Sequence, residues 1–194
     1  MIGITGVARS GKDTLYNLIE KKLKQLNVQT KRYALADNLK HDLRDFIIQR
    51  FNIDIYTANL EEKELIRPIM VAYGKSKRMQ TQGRYWIELL NSKINEKDFL
   101  PIITDIRYQE YEKDEYFWLK KEKQGIMIHV SRVKNGKIIL PANEEEAKND
   151  KVLSELADYK IIWCTENNID MLYNLYDKNI EEIYETYRRY RLNK

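Results

Sequence analysis

One stretch of the sequence puts glycines where phosphate chemistry needs them. Gly6-Val-Ala-Arg-Ser-Gly11-Lys12-Asp13-Thr14 has the spacing G-x-x-x-x-G-K. It follows an apolar, strand-like run (Met1–Thr5) and opens a segment of helical periodicity. In that setting the N–H groups of a tight loop and of the helix's first turn converge on an anion, and the helix dipole adds to the attraction. The two glycines let the chain curl tightly. Lys12 can reach the terminal phosphates of a nucleotide as a point charge. The residue after the lysine is Asp13, where a hydroxyl usually meets Mg2+; the hydroxyl comes one position later, at Thr14.

The chemistry can be narrowed by what is missing. A GTP-hydrolysing switch would add Asp-x-x-Gly and Asn-Lys-x-Asp, and neither string occurs. A motor ATPase would end its second acidic strand in Asp-Glu, whereas Asp105 is followed by Ile106 and Arg107. A small kinase remains, in which a second substrate supplies the nucleophile. Phosphoryl transfer depends mostly on positioning and charge neutralisation, so such an enzyme needs scattered cations. Candidates are Arg9, Lys40, Arg67, Arg78, Arg107 and Arg132, with Lys40, Arg67, Arg107 and Arg132 ranked first because each lies in a local pattern. Asp105, at a strand end, could hold Mg2+ through water or cap a helix starting at Arg107. Tyr73 and Trp86 could stack on a base or fill the core. His41 reads as surface, His129 as strand filler, both without acidic neighbours, and Cys164 as core.

These residues need a scaffold. Helical periodicity covers Asp13 to Leu26, Asn38 to Phe51, Leu60 to Tyr73 and Tyr85 to Ile94. Pro68 puts the middle of the third helix in question, and a polar stretch, 74–83, separates it from the fourth. Arg107–Lys123 reads as a charged helix stopped by Gly125. Strands are expected at Met1–Thr5, Val28–Leu35, Phe99–Thr104, Ile126–Ser131 and Tyr159–Cys164, with Pro101 keeping the first half of the third from pairing as a central strand. Residues 133–150 read as a mobile loop, and a last helix runs from Ile169 toward the C-terminus. Strands alternating with helices predict an α/β fold with a five-stranded parallel sheet flanked by helices, as one domain over 1–194.

Composition sets the outer limits. The chain has 43% hydrophobic and 33% charged residues, seven glycines, three prolines and a net charge of +4. It reads as a soluble domain with a heavily charged surface. One cysteine excludes an internal disulfide and favours a reducing, cytoplasmic setting. No apolar run approaches the roughly 18 residues of a membrane helix, and the first residues lack a secretion-signal pattern. The small positive charge makes a nucleic-acid partner unexpected; Arg188-Arg-Tyr-Arg191 reads as an exposed helical face.

Ordered across nearly the whole chain, these motifs resemble the deoxynucleoside monophosphate kinases of tailed bacteriophages, enzymes with the P-loop kinase fold. Arg9-Ser-Gly-Lys-Asp-Thr14 is similar to that family's loop, including the Asp after Lys. Leu35-Ala-Asp-Asn-Leu-Lys40 resembles its acceptor-holding motif, with Asn38 in place of proline. Arg67-Pro-Ile-Met-Val-Ala-Tyr-Gly74 resembles the segment beside the acceptor base, where Lys75 departs from the usual hydroxyl residue. Gly83-Arg-Tyr-Trp86, the Asp105, Arg107 and Glu110 series, Ile128-His-Val-Ser-Arg132, and Ser154-Glu155 with Asp158 follow in family order. The resemblance implies transfer of the γ-phosphoryl of ATP to a (deoxy)nucleoside monophosphate with Mg2+. Arg9, Ser10, Gly11, Lys12, Asp13 and Thr14 would bind ATP. Leu39, Lys40, Arg67, Tyr73, Gly74, Lys75, Trp86, Asp105, Arg107 and Glu110 would bind the acceptor within a region of about 36–98 and the strand end that follows. Thr14 and Asp105 would hold the metal. Lys12, Arg107 and Arg132 would be catalytic, Arg132 through a lid of about 132–150. A homodimer in the host cytoplasm is compatible. Kinases of dephospho-coenzyme A or phosphomevalonate type, and a non-catalytic ATP sensor, are the alternative readings.

Overall fold

The computed structural model describes residues 1–164 and 169–192. Five strands run parallel in the spatial order β2 (Thr30–Tyr33), β3 (Leu100–Ile106), β1 (Ile2–Thr5), β4 (Ile126–Lys134) and β6 (Tyr159–Cys164). A short strand, β5 (Lys137–Ile138), runs antiparallel to the end of β4. The helices are α1 (Lys12–Gln25), α2 (Leu35–Phe51), α3 (Leu60–Gln80), α4 (Arg84–Asn91), α5 (Glu115–Phe117), α6 (Glu144–Leu156) and α7 (Ile169–Leu192); α5 continues into a π-helical turn, Trp118–Glu122. The α/β class and the helix-flanked central sheet match expectation. The sheet is not wholly parallel, because β5 adds a sixth strand in the opposite sense.

The apolar faces explain the layers. Leu15, Leu18, Ile19 and Leu23 of α1 pack on Ile2, Ile4, Ile126 and Ile128, with Ile180 and Ile183 of α7 on the same side. A second cluster joins Tyr33, Trp86, Ile87, Ile103, Trp118, Leu119, Met127 and Leu153. A third, Leu43, Ile47, Ile53, Ile55, Ala58 and Ile66, holds α2 to α3 apart from the sheet. All seven residues of β3 are buried, as in a strand covered on both faces. Among the described residues no helix is long and apolar enough to cross a membrane.

Some local expectations hold and others are corrected. Pro101 behaves as expected: although β3 is central, its first residues pair on one side only, Pro101 opposite Lys31 of β2. Leu100 N donates to Gln29 O on the β2 side, so by alternation position 101 faces the β1 side, where pairing starts only at Ile2 and Ile102. The missing donor therefore falls where no partner strand yet runs. The polar stretch 74–83 is not a break: α3 runs to Gln80 through Pro68, and its later residues are good helix formers. Residues 107–114 form no helix; the Asp114 and Glu115 side chains instead gather the amides of residues 107, 108, 110 and 111 into an irregular turn.

Residues 133–150 are not one loop: they hold the end of β4, the hairpin to β5, an irregular stretch over 139–143 and the first half of α6. Strand β2 ends at Tyr33, because α2 begins at Leu35 under a cap supplied by Asp105. Cys164 is exposed rather than core, since the alternating pattern of edge strand β6 turns it outward. His41 is exposed and His129 fills β4, as expected, but both have acidic neighbours: Asp42 at 3.9 Å and Asp150 at 2.9 Å. Arg188, Arg189 and Tyr190 are exposed on α7; the Arg191 side chain lies outside the described residues.

The third cluster is small and separate from the sheet, so its packing is locally testable. Ile47→Ala removes a fully buried side chain and is expected to cost about 2–5 kcal/mol in urea denaturation. A loss below about 1 kcal/mol would contradict this packing role.

Candidate active site

The carboxyl ends of the parallel strands all open on one edge of the sheet, the edge at which open α/β sheets bind ligands. From β1 the chain enters the Gly6–Gly11 loop and then α1. Gly6 has φ +135° and Gly11 φ +94°, both unfavourable for a side chain. A Cβ on Gly6 would stand 2.3 Å from Val130 O, and one on Gly11 2.6 Å from the Trp163 ring. Trp163 also donates its indole N–H to Ser10 O at 2.8 Å, so β6 fixes the loop from below. Ser10 Oγ is buried and unpartnered. Gly11 is the N-cap of α1 and offers no side-chain cap, so the helix's first amides have no carbonyl of their own.

Lys12 lies back across the loop, donating to Gly6 O at 2.8 Å and Val7 O at 2.7 Å. Burial, then the nearby Arg107, lower its ammonium to about 8. Asp13 is exposed and paired with Arg32 at 3.3 Å. Arg9 is paired with Glu64 of α3 at 3.6 Å. Thr14 is half-buried in the first turn of α1.

Beside the loop is a cavity of about 500 Å³ between the sheet edge, α2 and α3. Its wall carries eight basic side chains, Lys12, Arg32, Lys40, Lys63, Arg67, Lys75, Arg78 and Arg107, against four carboxylates, Asp13, Asp105, Glu115 and Glu145. Leu39, Gly74 and Trp86 also line it. Such a lining suits an anion with an apolar part. Many of the cations are paired nearby: Arg67 with Glu64 at 2.8 Å, Lys40 with Asp37 at 3.6 Å and Lys75 with Glu145 at 3.3 Å.

Asp105 accepts from Leu35 N at 2.8 Å and Ala36 N at 2.9 Å. It caps α2 across the sheet, not a helix at Arg107. Each oxygen keeps lone pairs for a further donor. Among the described residues no group of three or more His, Cys, Asp or Glu side chains could hold a metal ion.

Tyr73, Glu110 and Arg132 fall outside the cavity wall, and Trp86 lines it but is largely covered. Tyr73 does not line the cavity; it donates to Asp42 at 3.2 Å and packs edge-on against Trp86. Trp86 is 4% exposed, with its N–H on Gly74 O, so little of its ring is free to stack on a base. Glu110 faces away, accepting from Arg78 and Asn149. The carboxylate that does line the cavity there is Glu115, five residues later. Arg132 lies on β4 outside the cavity wall.

A buried ionic cluster forms the cavity's inner end. Asp114, fully buried, takes both Arg78 nitrogens at 2.9 Å in a fork, plus the amides of Glu110, Tyr111 and Glu115. Glu115 accepts from Arg107 N at 2.6 Å, Tyr108 N at 3.2 Å and Arg78 at 3.3 Å. Arg78 lies 3.5 Å over the Tyr108 ring. Burial pushes the Glu115 carboxyl up to about 8, with Arg78 pulling the other way. Burial works against the Arg78 charge, yet Asp114 and Glu115 hold it well above its ordinary value. Burial, then Glu115, push the Tyr108 hydroxyl up to about 12. Arg78 was legible only as one cation among many, since its partners lie more than thirty residues away in sequence. Glu146, which accepts from Ala8 N at 2.8 Å, had a visible signal: Asn143-x-x-Glu146 is a helix-start pattern.

The sequence matches no protein-family model, and a search of curated proteins finds no match.

The cluster makes a sharp stability test. Arg78→Met leaves Asp114 and Glu115 buried without their cation, and is expected to cost about 3–5 kcal/mol in chemical denaturation. An unchanged midpoint would show that the cluster contributes nothing to holding this end of the cavity.

Proposed function

We propose that the protein is a nucleotide kinase that transfers the γ-phosphoryl of ATP to the 5′-phosphate of a (deoxy)nucleoside monophosphate. The observation carrying this reading is one juxtaposition. A glycine-cornered loop and uncapped helix N-terminus bearing Lys12 open directly onto a cavity with eight cations at the carboxyl edge of the sheet. One anion site beside another is what transfer between two phosphates requires. The parallel strand order β2-β3-β1-β4-β6 supports a P-loop kinase fold, with the β4–β5 hairpin and α6 as its lid.

In this reading the loop amides and Lys12 hold the donor's β- and γ-phosphates, and Lys12 exchanges the carbonyls of Gly6 and Val7 for phosphate oxygens. Lys40, Arg67 and Arg107 hold the acceptor phosphate in line. Leu39, Gly74 and Tyr108 bound its nucleoside. Binding must break the pairs to Asp37 and Glu64, so ligand charge replaces carboxylate charge. Arg132 joins only if the hairpin moves inward. Mg2+ held through water by Asp105, with Thr14 near, would neutralise charge on the donor phosphates; the outer lone pairs of Asp105 fit a hydrated ion that keeps several waters. No general base is required, because the acceptor phosphate is already anionic. A cytoplasmic setting suits ATP and the exposed Cys164.

A coupled ADP-release assay across the four deoxynucleoside monophosphates tests this. Turnover with at least one is expected, falling by roughly 100-fold or more in Lys12→Ala; no turnover with any would sink the reading. The Lys12 ammonium also gives a pH signature. Its folded value of about 8 lies below the ordinary 10.5. Ligand phosphate favours the charged form, so once the ADP phosphates are fully ionised, above about pH 7, affinity for ADP should hold to about pH 8 and fall above it as the free protein loses that proton. Lys12→Met should abolish this fall; a fall that persists would assign it elsewhere.

A further inference from the structure

We propose that Glu146 is a built-in competitor for the Gly6–Gly11 loop. Its carboxylate holds the Ala8 amide and must leave when a polyphosphate enters. The proposal rests on reading the loop as the donor site.

The geometry sets Glu146 apart from an ordinary helix-capping residue. In α3 the capping box is complete: Asn59 Oδ1 accepts from Glu62 N, and Glu62 Oε2 returns to Asn59 N at 2.7 Å. In α6 the first half is present, with Asn143 Oδ1 accepting from Glu146 N at 2.8 Å. The return bond is not made to Asn143. Glu146 Oε2 instead takes Ala142 N at 2.6 Å, and Oε1 crosses to Ala8 N at 2.8 Å, 138 residues away in sequence. One carboxylate thus bridges the loop and the start of α6.

The chemistry of that bridge is the chemistry of a phosphate oxygen. An anion accepts from a loop amide beside an uncapped helix N-terminus, within electrostatic reach of Lys12 and Arg67. Lys12 is meanwhile satisfied by the loop's own carbonyls. The loop is therefore internally neutralised by the chain's own groups. A ligand that needs the Ala8 amide binds only the fraction of molecules in which Glu146 has moved away, and its affinity is reduced by that fraction. A polyphosphate, which also recruits Lys12, overcomes the competitor more readily than a single small anion. Its entry detaches the first turn of α6 from the loop, while the neighbouring Lys75–Glu145 pair at the cavity rim, 3.3 Å, is a second tie on that turn.

The test is calorimetric titration of the full chain with inorganic tripolyphosphate. Wild type is compared with Glu146→Gln, Glu146→Ala and Glu144→Gln. Glu144 is exposed, two residues away, and carries the same charge. The Glu146 variants should bind up to about tenfold more tightly, Ala at least as strongly as Gln. Glu144→Gln should stay within about twofold. Far-UV circular dichroism checks folding; should Glu146→Ala unfold, Glu146→Gln decides. Binding by wild type with equal or weaker binding by both Glu146 variants overturns this proposal and leaves the loop assignment standing. Equal tightening by Glu144→Gln overturns it as bulk charge. Absence of binding in every protein overturns the loop assignment and this proposal together, whereas binding gained only in the Glu146 variants supports it.

Discussion

The structure depends on keeping many like charges in one small space. Eight basic side chains line a single cavity, and an unscreened concentration of that kind would push α2, α3 and the sheet edge apart. The chain answers with carboxylates on α2, α3 and the neighbouring α6. Glu64 serves both Arg9 and Arg67, Asp37 serves Arg32 and Lys40, Glu145 meets Lys75, and Glu146 reaches the loop. Most of these pairs are half-exposed and contribute little to stability. Their weakness matters for function, since each can yield its cation to a ligand phosphate at small cost.

The deep end of the cavity follows the opposite rule. Arg78, Asp114 and Glu115 are all within 6% of full burial, where a broken pair is expensive. They tie α3 to the irregular segment after β3 and fix the backbone of Arg107 and Tyr108, two residues of the cavity wall. Asp105 does the same for the start of α2. Rigid, buried carboxylates set the frame, and exposed ones hold the movable cations.

This division also explains what could be read from the sequence. The loop from Gly6 to Lys12 was legible because its chemistry is local: a strand, two glycines, a lysine and a helix in succession. Lys40, Arg67, Lys75 and Arg107 do line one cavity; Lys40 and Arg67 sit on helices of clear period and Arg107 follows a strand end, whereas Lys75 falls in the stretch that reads as a polar break and was marked only by the resemblance. The helical reading of 107–123 held from Glu115 to Glu122 and failed over 107–114, where the Asp114 and Glu115 side chains, themselves paired with Arg78, take the backbone amides. The loop reading of 133–150 failed because a polar, charged run looks the same in a loop and in an exposed helix; Asn143 and Glu146 were its one local marker. Glu110 and Tyr73 were placed by pattern alone, and long-range packing turned both away.

The central claim is that the loop and the cavity are two halves of one phosphate-transfer site. A crystal structure with a bisubstrate analogue, adenosine joined to thymidine through a pentaphosphate, tests it most directly. The account predicts one bound molecule, with its phosphate chain running from the Gly6–Gly11 amides and Lys12 to Lys40, Arg67 and Arg107. Phosphates bound outside the loop, or a nucleoside that never enters the cavity, would contradict it.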